Sequence, residues 1–204
     1  KIACETEGLS PLYLAVDGEL IGVLGIEDPL KAGVAESIDE LRRLGFNRVV
    51  MLTGDNERTA ARIAEDAGVV EFHANMLPAD KHAFVEALRA EGSCVVMVGD
   101  GVNDSPALSA ADVGIAMGQG TAIAKEVADV TLSGGSLEAL VELRKLGSAL
   151  MSRMNGSYGG VMVVNSVLLA AGIGGLLQPQ TSSLLHNATT VALSARNGSA
   201  YRLR

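Results

Sequence analysis

The stretch from Val95 to Leu108 limits the possible folds of this chain more than any other part of the sequence. An apolar run of strand character ends at a glycine, and two carboxylates follow it, Asp100 and Asp104. Open α/β sheets place their ligand sites at the carboxyl ends of such strands. Two close carboxylates in a glycine-lined loop suit a hard cation such as Mg²⁺, with phosphate on its far side. The alternative interpretation is an aspartate-rich turn that only caps a helix.

A helix is predicted to begin directly after this loop. Ser105 would be its N-cap and Pro106 its first residue, where proline is well tolerated. Elsewhere, apolar runs alternate with helical periodicity, which predicts βαβ units and a mainly parallel sheet. The predicted strands are 13–16 and 20–26, joined by an Asp17-Gly18 turn, then 48–52, 94–98, 113–117 and 130–132; the predicted helices are 32–44, 56–67, 78–90, 106–111 and 121–127.

Charge and cysteine content narrow the class of protein. The 204 residues are enough for one or two domains. A formal net charge of −8 without basic runs argues against a nucleic-acid partner, because phosphate backbones are bound by clusters of Lys and Arg. Cys4 and Cys94 lack the spacing of metal ligands and are compatible with a reducing compartment. Because the chain begins at Lys1 with no methionine or signal peptide, we expect a piece of a longer protein.

The last third of the chain carries a membrane signature. No Asp, Glu, Lys or Arg occurs between residues 154 and 195, and the mean hydropathy of the whole chain is +0.29. We expect a linking helix over 137–151, a first membrane span over 156–177 and a second, more polar span over 181–199. Basic residues flank both outer ends of this hairpin, which predicts that both ends are cytoplasmic. The alternative is a buried helical hairpin of a soluble domain.

Two further motifs are suited to handling phosphate. Thr53-Gly54-Asp55 offers a hydroxyl and backbone N–H groups where a strand ends and a helix begins, which is an anion-binding geometry. Lys81, in the first turn of a helix, offers a mobile positive charge. Together with a magnesium loop, these groups can stabilise a phosphoryl group in transfer, because positioning and electrostatics dominate that catalysis.

These motifs resemble the phosphorylation domain of the P-type ATPases, members of the haloacid dehalogenase superfamily. The resemblance is carried by residues 53–56 (Thr-Gly-Asp-Asn), 78–81 (Pro-Ala-Asp-Lys) and 99–106 (Gly-Asp-Gly-Val-Asn-Asp-Ser-Pro). With Asp28-Pro29 upstream and a membrane hairpin downstream, the order is similar to that of the heavy-metal-transporting branch. It covers essentially the whole chain. It implies a Rossmann-like α/β fold, ATP and Mg²⁺ as cofactors, and a multi-pass protein of the plasma or inner membrane with its phosphorylation domain in the cytoplasm.

The resemblance implies a role for each matching residue. Thr53 and Lys81 would contact an aspartyl phosphate, which Asn103 would orient. Asp55 would lie at the hinge that faces the nucleotide. The implied sets are Thr53, Gly54, Asp55, Lys81, Asn103 and Asp104 for catalysis, Asp28, Asp55, Gly99 and Gly101 for ATP binding, and Asp100 with Asp104 for Mg²⁺.

The sequence also departs from the family. It contains no Asp-Lys-Thr-Gly-Thr motif, which carries the phosphorylated aspartate of these pumps. In the superfamily, the strand that bears this aspartate lies between the strands that end at Thr53 and Gly99, so we predict a gap at the centre of the sheet. The expected organisation is the tail of a nucleotide-binding domain with a connecting hairpin (1–27), a partial phosphorylation domain (28–135), a linking helix (136–153), and two transmembrane helices with a short cytoplasmic tail (154–204).

The favoured hypothesis is therefore part of an ATP-driven transition-metal transporter that is inactive without the remaining N-terminal part of the pump. One alternative is a non-catalytic, membrane-anchored regulatory or interaction module with the same fold. Another is a stand-alone phosphatase of the superfamily, which would need its own aspartate nucleophile. Asp17 and Asp28 fit that role poorly, because one lies in a hairpin turn and the other precedes a proline.

Polar residues within the predicted spans are the candidates for binding the transported cation. They are Asn165 in the first span and His186, Asn187, Thr189 and Thr190 in the second. The three assigned to the transported ion are Asn165, His186 and Thr190. Imidazole suits zinc, copper, cobalt or nickel, whereas amide and hydroxyl oxygens suit manganese. Residues 186–190 resemble the His-Glu-Gly-Gly-Thr element of the cobalt-type pumps, with Asn187 in place of the glutamate. The alternative is hydrogen bonding between packed membrane helices.

Overall fold

A computed structural model describes residues 10–26, 29–100, 102–118 and 122–198 of the chain. Strands β1 (Ser10–Val16) and β2 (Glu19–Ile26) form an antiparallel hairpin. Asp17 and Gly18 connect them with φ values of 50° and 84°, as a tight hairpin turn requires, so the predicted hairpin is confirmed. Apolar side chains on both faces are between 45% and 60% exposed, namely Leu12, Tyr13, Leu14, Val16, Leu20, Ile21 and Leu24.

The next part of the chain is α/β with parallel strands, as predicted. Strand β3 (Val50–Leu52) pairs in parallel with β4 (Glu71–His73), and β5 (Val96–Gly99), β6 (Val113–Met117) and β7 (Val130–Leu132) form a second parallel sheet. Five helices connect the strands: α1 (Val34–Arg43), α2 (Glu57–Asp66), α3 (Pro78–Ala90), α4 (Ser105–Ala110) and α5 (Ala122–Val127). Strand β4 is absent from the sequence-based prediction.

A gap separates the two parallel sheets. Within the described residues, β3 is hydrogen-bonded only to β4, and β5 only to β6. The facing sides of β3 and β5 line a cavity of about 460 Å³ whose wall includes Met51, Leu52, Met97 and Val98. The predicted gap at the centre of the sheet is confirmed.

The buried core is divided in the same way. Ile38, Ala64, Ala67 and Val69 form one cluster against the β3 side. On the β5 side, α3 and α4 pack against the second sheet through Val85, Ala107, Ala110, Leu108 and Ala116. Each parallel sheet therefore has its own set of buried contacts, and the gap runs between them.

The segment that leads into α1 contacts the segment that leads out of β7. Lys31 Nζ donates a hydrogen bond to the Gly135 carbonyl oxygen at 3.1 Å. Gly33 has φ of 81°, and a Cβ atom at this position would lie 2.6 Å from Glu138 Oε1. Leu137 packs against the first core cluster. Only glycine meets both demands at position 33, a left-handed backbone and the close carboxylate.

Two long helices complete the chain, α6 (Leu137–Ile173) and α7 (Pro179–Gly198). Compact units form at residues 1–141 and 142–204. Helix α6 is continuous over 37 residues, so the predicted linking helix and first span are one element. In the described part of the chain, α6 is the one helix that is long and apolar enough to cross a membrane. Helix α7 forms where the second span was predicted but is more polar, with His186, Asn187 and several hydroxyl groups.

Polar contacts join α6 and α7. Arg153 Nη2 donates to the Arg196 carbonyl oxygen at 2.6 Å. Ser157 Oγ, in a buried residue, donates to Asn197 Oδ1 at 2.8 Å. These contacts tie the last turns of α7 to the middle of α6.

The start of the β3–β4 sheet is held by a bidentate ion pair. Arg48 Nε and Nη2 donate to the two carboxylate oxygens of Glu71 at 2.7 and 2.6 Å. Hydrogen bonds from Arg48, with a further one from His73, lower the pKa of Glu71 from 4.5 to about 2. Since the pKa is lowered in the folded chain, the pair stabilises the fold above about pH 4.5, and this stabilisation is lost as the pH falls towards 2.

We predict that Glu71→Gln lowers the free energy of unfolding at pH 7 by no more than about 1 kcal/mol, because the side chain is 34% exposed. The difference from wild type should shrink as the pH falls from about 4.5 towards 2, because the wild-type carboxylate is protonated first in the unfolded chain and then in the folded one. Thermal unfolding in detergent at several pH values measures this. Glu86→Gln, which alters a side chain that is 63% exposed, is the control and should show a smaller effect. A difference that is constant with pH would contradict the prediction.

Candidate phosphate and magnesium site

The loop after β3 is held in a compact turn by its own side chains. Thr53 Oγ1 donates to Asp55 Oδ2 at 2.8 Å and accepts from the Asp55 backbone N–H at 3.1 Å. Asn56 Oδ1 accepts from the Thr59 N–H at 3.1 Å and so caps α2, as predicted. The Thr53 hydroxyl therefore lies where the strand ends and the helix begins.

Lys81 is brought together with Asp104. Helix α3 begins at Pro78, and its first turn is closed by the Leu77 N–H, which donates to Asp80 Oδ2 at 2.9 Å. One turn into the helix, Lys81 Nζ donates to Asp104 Oδ1 at 2.8 Å. The two side chains are only 13% and 15% exposed. An ion pair this buried fixes the ammonium group beside the loop that follows β5.

The loop after β5 folds tightly over Gly99. A Cβ atom at Gly99 would lie 2.7 Å from the Asp104 Cβ, so only glycine allows this approach. A single 3₁₀ turn (Val102–Asp104) leads directly into α4. The Asp100 and Asn103 side chains are exposed at this turn. Asp28 and Gly101, assigned to ATP binding from the resemblance, lie outside the described residues.

The predicted N-cap at Ser105 is wrong. Ser105 is the first residue of α4, and Asp104 occupies the position before it. In the described structure, the buried Ser105 Oγ has no hydrogen-bond partner. The 3₁₀ turn already has helical backbone at Asp104, whereas a capping serine needs an extended one, so the helix continues from the turn.

The residues after β5 fit a shared magnesium site rather than a closed one. No group of three or more His, Cys, Asp or Glu side chains that could hold a metal occurs in the described ranges. Asp100 offers an exposed carboxylate, and Asp104 Oδ2 is not taken up by the bond that Lys81 makes to Oδ1. Mg²⁺ commonly binds through one or two carboxylates and completes its shell with water and substrate phosphate.

In the helical hairpin, the structure brings two of the three candidate residues together. His186 Nδ1 and Asn165 Oδ1 lie 2.8 Å apart, on different helices. Thr190 Oγ1 instead donates to the His186 carbonyl oxygen at 3.0 Å, within its own helix. Asn165 and His186 therefore form a polar pair between α6 and α7, and the Thr190 hydroxyl stays on α7.

Two contacts between α3 and the start of β5 could not be read from the motifs. The Asp112 carboxylate accepts from the Val95 N–H at 2.8 Å and from Arg89 Nε at 3.0 Å. These bonds lower the pKa of Asp112, the Val95 N–H first and Arg89 second. They join the end of α3 to the start of β5. The spacing of Arg89 and Asp112 in the sequence gives no signal of this contact.

Comparison with known proteins gives consistent matches. Residues 2–112 match the family described as haloacid dehalogenase-like hydrolase. The chain is 44% identical to the zinc-exporting P-type ATPase of Mycobacterium marinum over 96% of its length, and 43% identical to the manganese-exporting P-type ATPase of Mycobacterium leprae over 100%. It is 44% identical to the copper-exporting P-type ATPase of Legionella pneumophila over 88%. The chain spans between 24% and 28% of the length of these relatives.

The match to solved structures agrees with these sequence relatives. A crystal structure of a zinc-transporting PIB-type ATPase in the E2.Pi state matches with a TM-score of 0.84 and 34% identity. That match covers 96% of this chain and 32% of the other. The family resemblance and the fold class predicted from the sequence are confirmed.

We predict strong energetic coupling between Lys81 and Asp104. In a double-mutant cycle of Lys81→Met and Asp104→Asn, each single variant leaves a buried polar group without its partner, and the coupling energy should be about 2 kcal/mol. Denaturant unfolding of the full chain in detergent measures it. The more exposed pair Arg89 and Asp112 (46% and 32%) is the matched control, with coupling below about 1 kcal/mol. Equal coupling in the two cycles would contradict the prediction.

Proposed function

Since the chain belongs to the haloacid dehalogenase-like hydrolase family, we propose that it supplies part of an ATP-driven exporter of transition-metal cations that works through an aspartyl phosphate. One observation carries the proposal. A lysine at the start of a helix is ion-paired with an aspartate of a Gly-Asp-Gly-Val-Asn-Asp loop, in a chain that also has a 37-residue apolar helix. The relatives that export zinc, manganese and copper support it.

The loops after β3 and β5 divide the work on the phosphoryl group. The Thr53 hydroxyl and the Lys81 ammonium donate hydrogen bonds to phosphoryl oxygens, and Gly54 allows the backbone to approach. Asn103 orients the group from the exposed 3₁₀ turn. Preorganised donors of this kind lower the barrier because they are already aimed at the charge that develops during transfer.

Asp100 and Asp104 would hold the Mg²⁺ ion. When bound, Mg²⁺ supplies positive charge against the phosphoryl oxygens. The ion pair with Lys81 orients the Asp104 carboxylate at this position. For the nucleotide, Asp55 lies in the loop after β3 and Gly99 is the last residue of β5, and Asp28 and Gly101 are proposed from the resemblance alone.

The missing nucleophile belongs to a strand that fills the gap. The sequence lacks the Asp-Lys-Thr-Gly-Thr motif, and β3 and β5 have unpaired facing edges within the described residues. An apolar parallel strand from the N-terminal part of the pump would pair with both edges and end beside Thr53 and Asp100. We therefore expect the chain alone to be inactive.

The Asn165–His186 pair is the proposed contribution to the transported-ion site. Because Asn165 Oδ1 is an acceptor, the facing His186 Nδ1 carries the proton, which leaves the Nε2 lone pair for a metal. Metal-ligating imidazoles generally donate their other N–H to an oxygen in this way. Thr190 contributes less, because its hydroxyl is bonded to its own helix. The cation is zinc, cobalt, copper, manganese or nickel, and the metal panel below distinguishes them.

In a cell, the pump would be a multi-pass protein of the plasma or inner membrane. Helix α6 supports a membrane span by its length and composition. The basic residues that flank the hairpin support a cytoplasmic position for the phosphorylation domain, because loops rich in Lys and Arg stay on that side of a membrane.

The first test is acyl-phosphate labelling with radiolabelled ATP. The full chain is assayed alone and after mixing with an N-terminal pump portion that carries the Asp-Lys-Thr-Gly-Thr motif, with each transition metal in turn. We expect metal-dependent label in the mixture only. Lys81→Met in the chain should abolish it. Label on the chain alone would mean that another nucleophile exists, and no label in any mixture would favour a non-catalytic module.

Binding of the N-terminal portion can be measured without catalysis. Cys94 is exposed and lies at the wall of the cavity between β3 and β5. In a Cys4→Ser variant it is the one remaining thiol. We expect its reaction with a thiol reagent to slow when the N-terminal portion is added. An unchanged rate would contradict insertion of a strand at this place.

The ion site has a matched pair of variants. His186→Ala should raise the metal concentration for half-maximal labelling by about tenfold or more. Thr190→Val should change it by less than about twofold, because the hydroxyl serves its own helix. Equal effects of the two variants would contradict the proposed role of His186.

A further inference from the structure

Two non-glycine residues among those described have a left-handed backbone, Asp17 with φ of 50° and Asn75 with φ of 53°. Asp17 is explained by its hairpin turn. Asn75 lies in the connection from β4 to α3, which no hairpin constrains. A left-handed residue other than glycine costs free energy, so the surrounding structure must maintain it.

The bend at Asn75 turns two consecutive N–H groups towards the loop after β3. The Asn75 N–H donates to the Asp55 carbonyl oxygen at 2.7 Å, and the Met76 N–H donates to the Thr53 carbonyl oxygen at 3.0 Å. From the other side, the Thr53 N–H donates to the His73 carbonyl oxygen at 3.0 Å. Three backbone hydrogen bonds therefore fasten the two loops together.

The same bend leads directly into the helix that carries Lys81. Met76 is followed by Leu77, whose N–H is bound by Asp80 in the first turn of α3. A Cβ atom at Gly54 would lie 3.6 Å from the Met76 carbonyl oxygen, so the two backbones are in van der Waals contact. The loop of Thr53 is thus hydrogen-bonded along residues 73–76, and the helix that carries Lys81 begins directly after them.

We propose that Asn75 is a positioning residue that fixes the loop of Thr53 relative to the first turn of α3, and so sets the distance between the Thr53 hydroxyl and the Lys81 ammonium around the phosphoryl group. This inference rests on the proposed function. The Asn75 side chain is exposed. The choice of residue at this position therefore matters through the backbone conformation that it allows. Asparagine adopts the left-handed region more readily than other residues apart from glycine.

The test compares Asn75→Ala with Asn75→Gly in the full chain mixed with the N-terminal pump portion. The readout is phosphorylation by inorganic phosphate, in which the aspartate carboxylate displaces water and ATP takes no part. For Asn75→Ala, we expect the phosphate concentration for half-maximal labelling to rise by about fivefold, because alanine disfavours the bend. Asn75→Gly adopts the same φ without cost and should stay within about twofold of wild type.

Asp17→Ala is the matched control. This variant also puts alanine at a position with a left-handed backbone, but in the hairpin and away from the loops after β3 and β4. It should leave phosphate labelling unchanged. Amide hydrogen exchange of the full chain gives a second readout. Exchange at Met76 should be faster in Asn75→Ala than in wild type or Asn75→Gly, since the bond to Thr53 is weakened.

The outcomes separate the positioning role from the proposed function. Phosphate labelling of Asn75→Ala that equals wild type overturns the positioning role and leaves the proposed function intact. Equal loss in Asn75→Gly and Asn75→Ala also overturns it, because the side chain would then act by contact. Absence of label in the wild-type mixture overturns both.

Discussion

A parallel strand presents backbone N–H and C=O groups along both of its edges, and buried strands of this type are normally paired on both sides. In the described residues, the facing edges of β3 and β5 have no such partner. This constraint divides the core into two clusters, and it separates the loops that we propose bind the phosphoryl group. Thr53 follows the strand on one side, and Asp100 and Asp104 follow the strand on the other. A ligand that needs both loops also needs the gap to be filled.

Helix α3 is the element that joins the two sides at the level of the site. It begins in the segment fastened to the loop of Thr53, and its Lys81 reaches Asp104 beyond β5. Its other end is joined by Arg89 and Asp112 to the start of β5. Both ends of the helix are thus connected to the β5 side, through Lys81 and Arg89. The segment just before the helix is connected to the β3 side. This explains how the separated loops keep a common geometry without a central strand.

The sequence predicts the parts of this fold that depend on local pattern. Asp17-Gly18 specifies the hairpin, and the apolar runs specify β6 and β7. Strand β4 is missed because Glu71-Phe72-His73 has no apolar run and is stabilised by Arg48, which lies two residues before β3. The left-handed Asn75 is equally hidden, since its conformation follows from hydrogen bonds to a loop 20 residues away. The Ser105 cap fails because a 3₁₀ turn, not an extended residue, precedes the helix.

The helical hairpin, which we propose to span the membrane, would follow a different physical rule. Between helices in lipid, apolar contacts give no gain over contacts with lipid, so packing of small residues and polar contacts hold them together. The contacts of Arg153, Ser157 and Asn165 with α7 fit this rule. The first two are near the end of α7, where Arg153 donates to the Arg196 carbonyl oxygen and Ser157 donates to the Asn197 side chain. The third lies away from the ends of both helices, and a cation bound at His186 Nε2, as proposed above, would keep this hydrogen bond intact. The contact that joins the helices and the proposed contact with the ion are therefore compatible in one side chain.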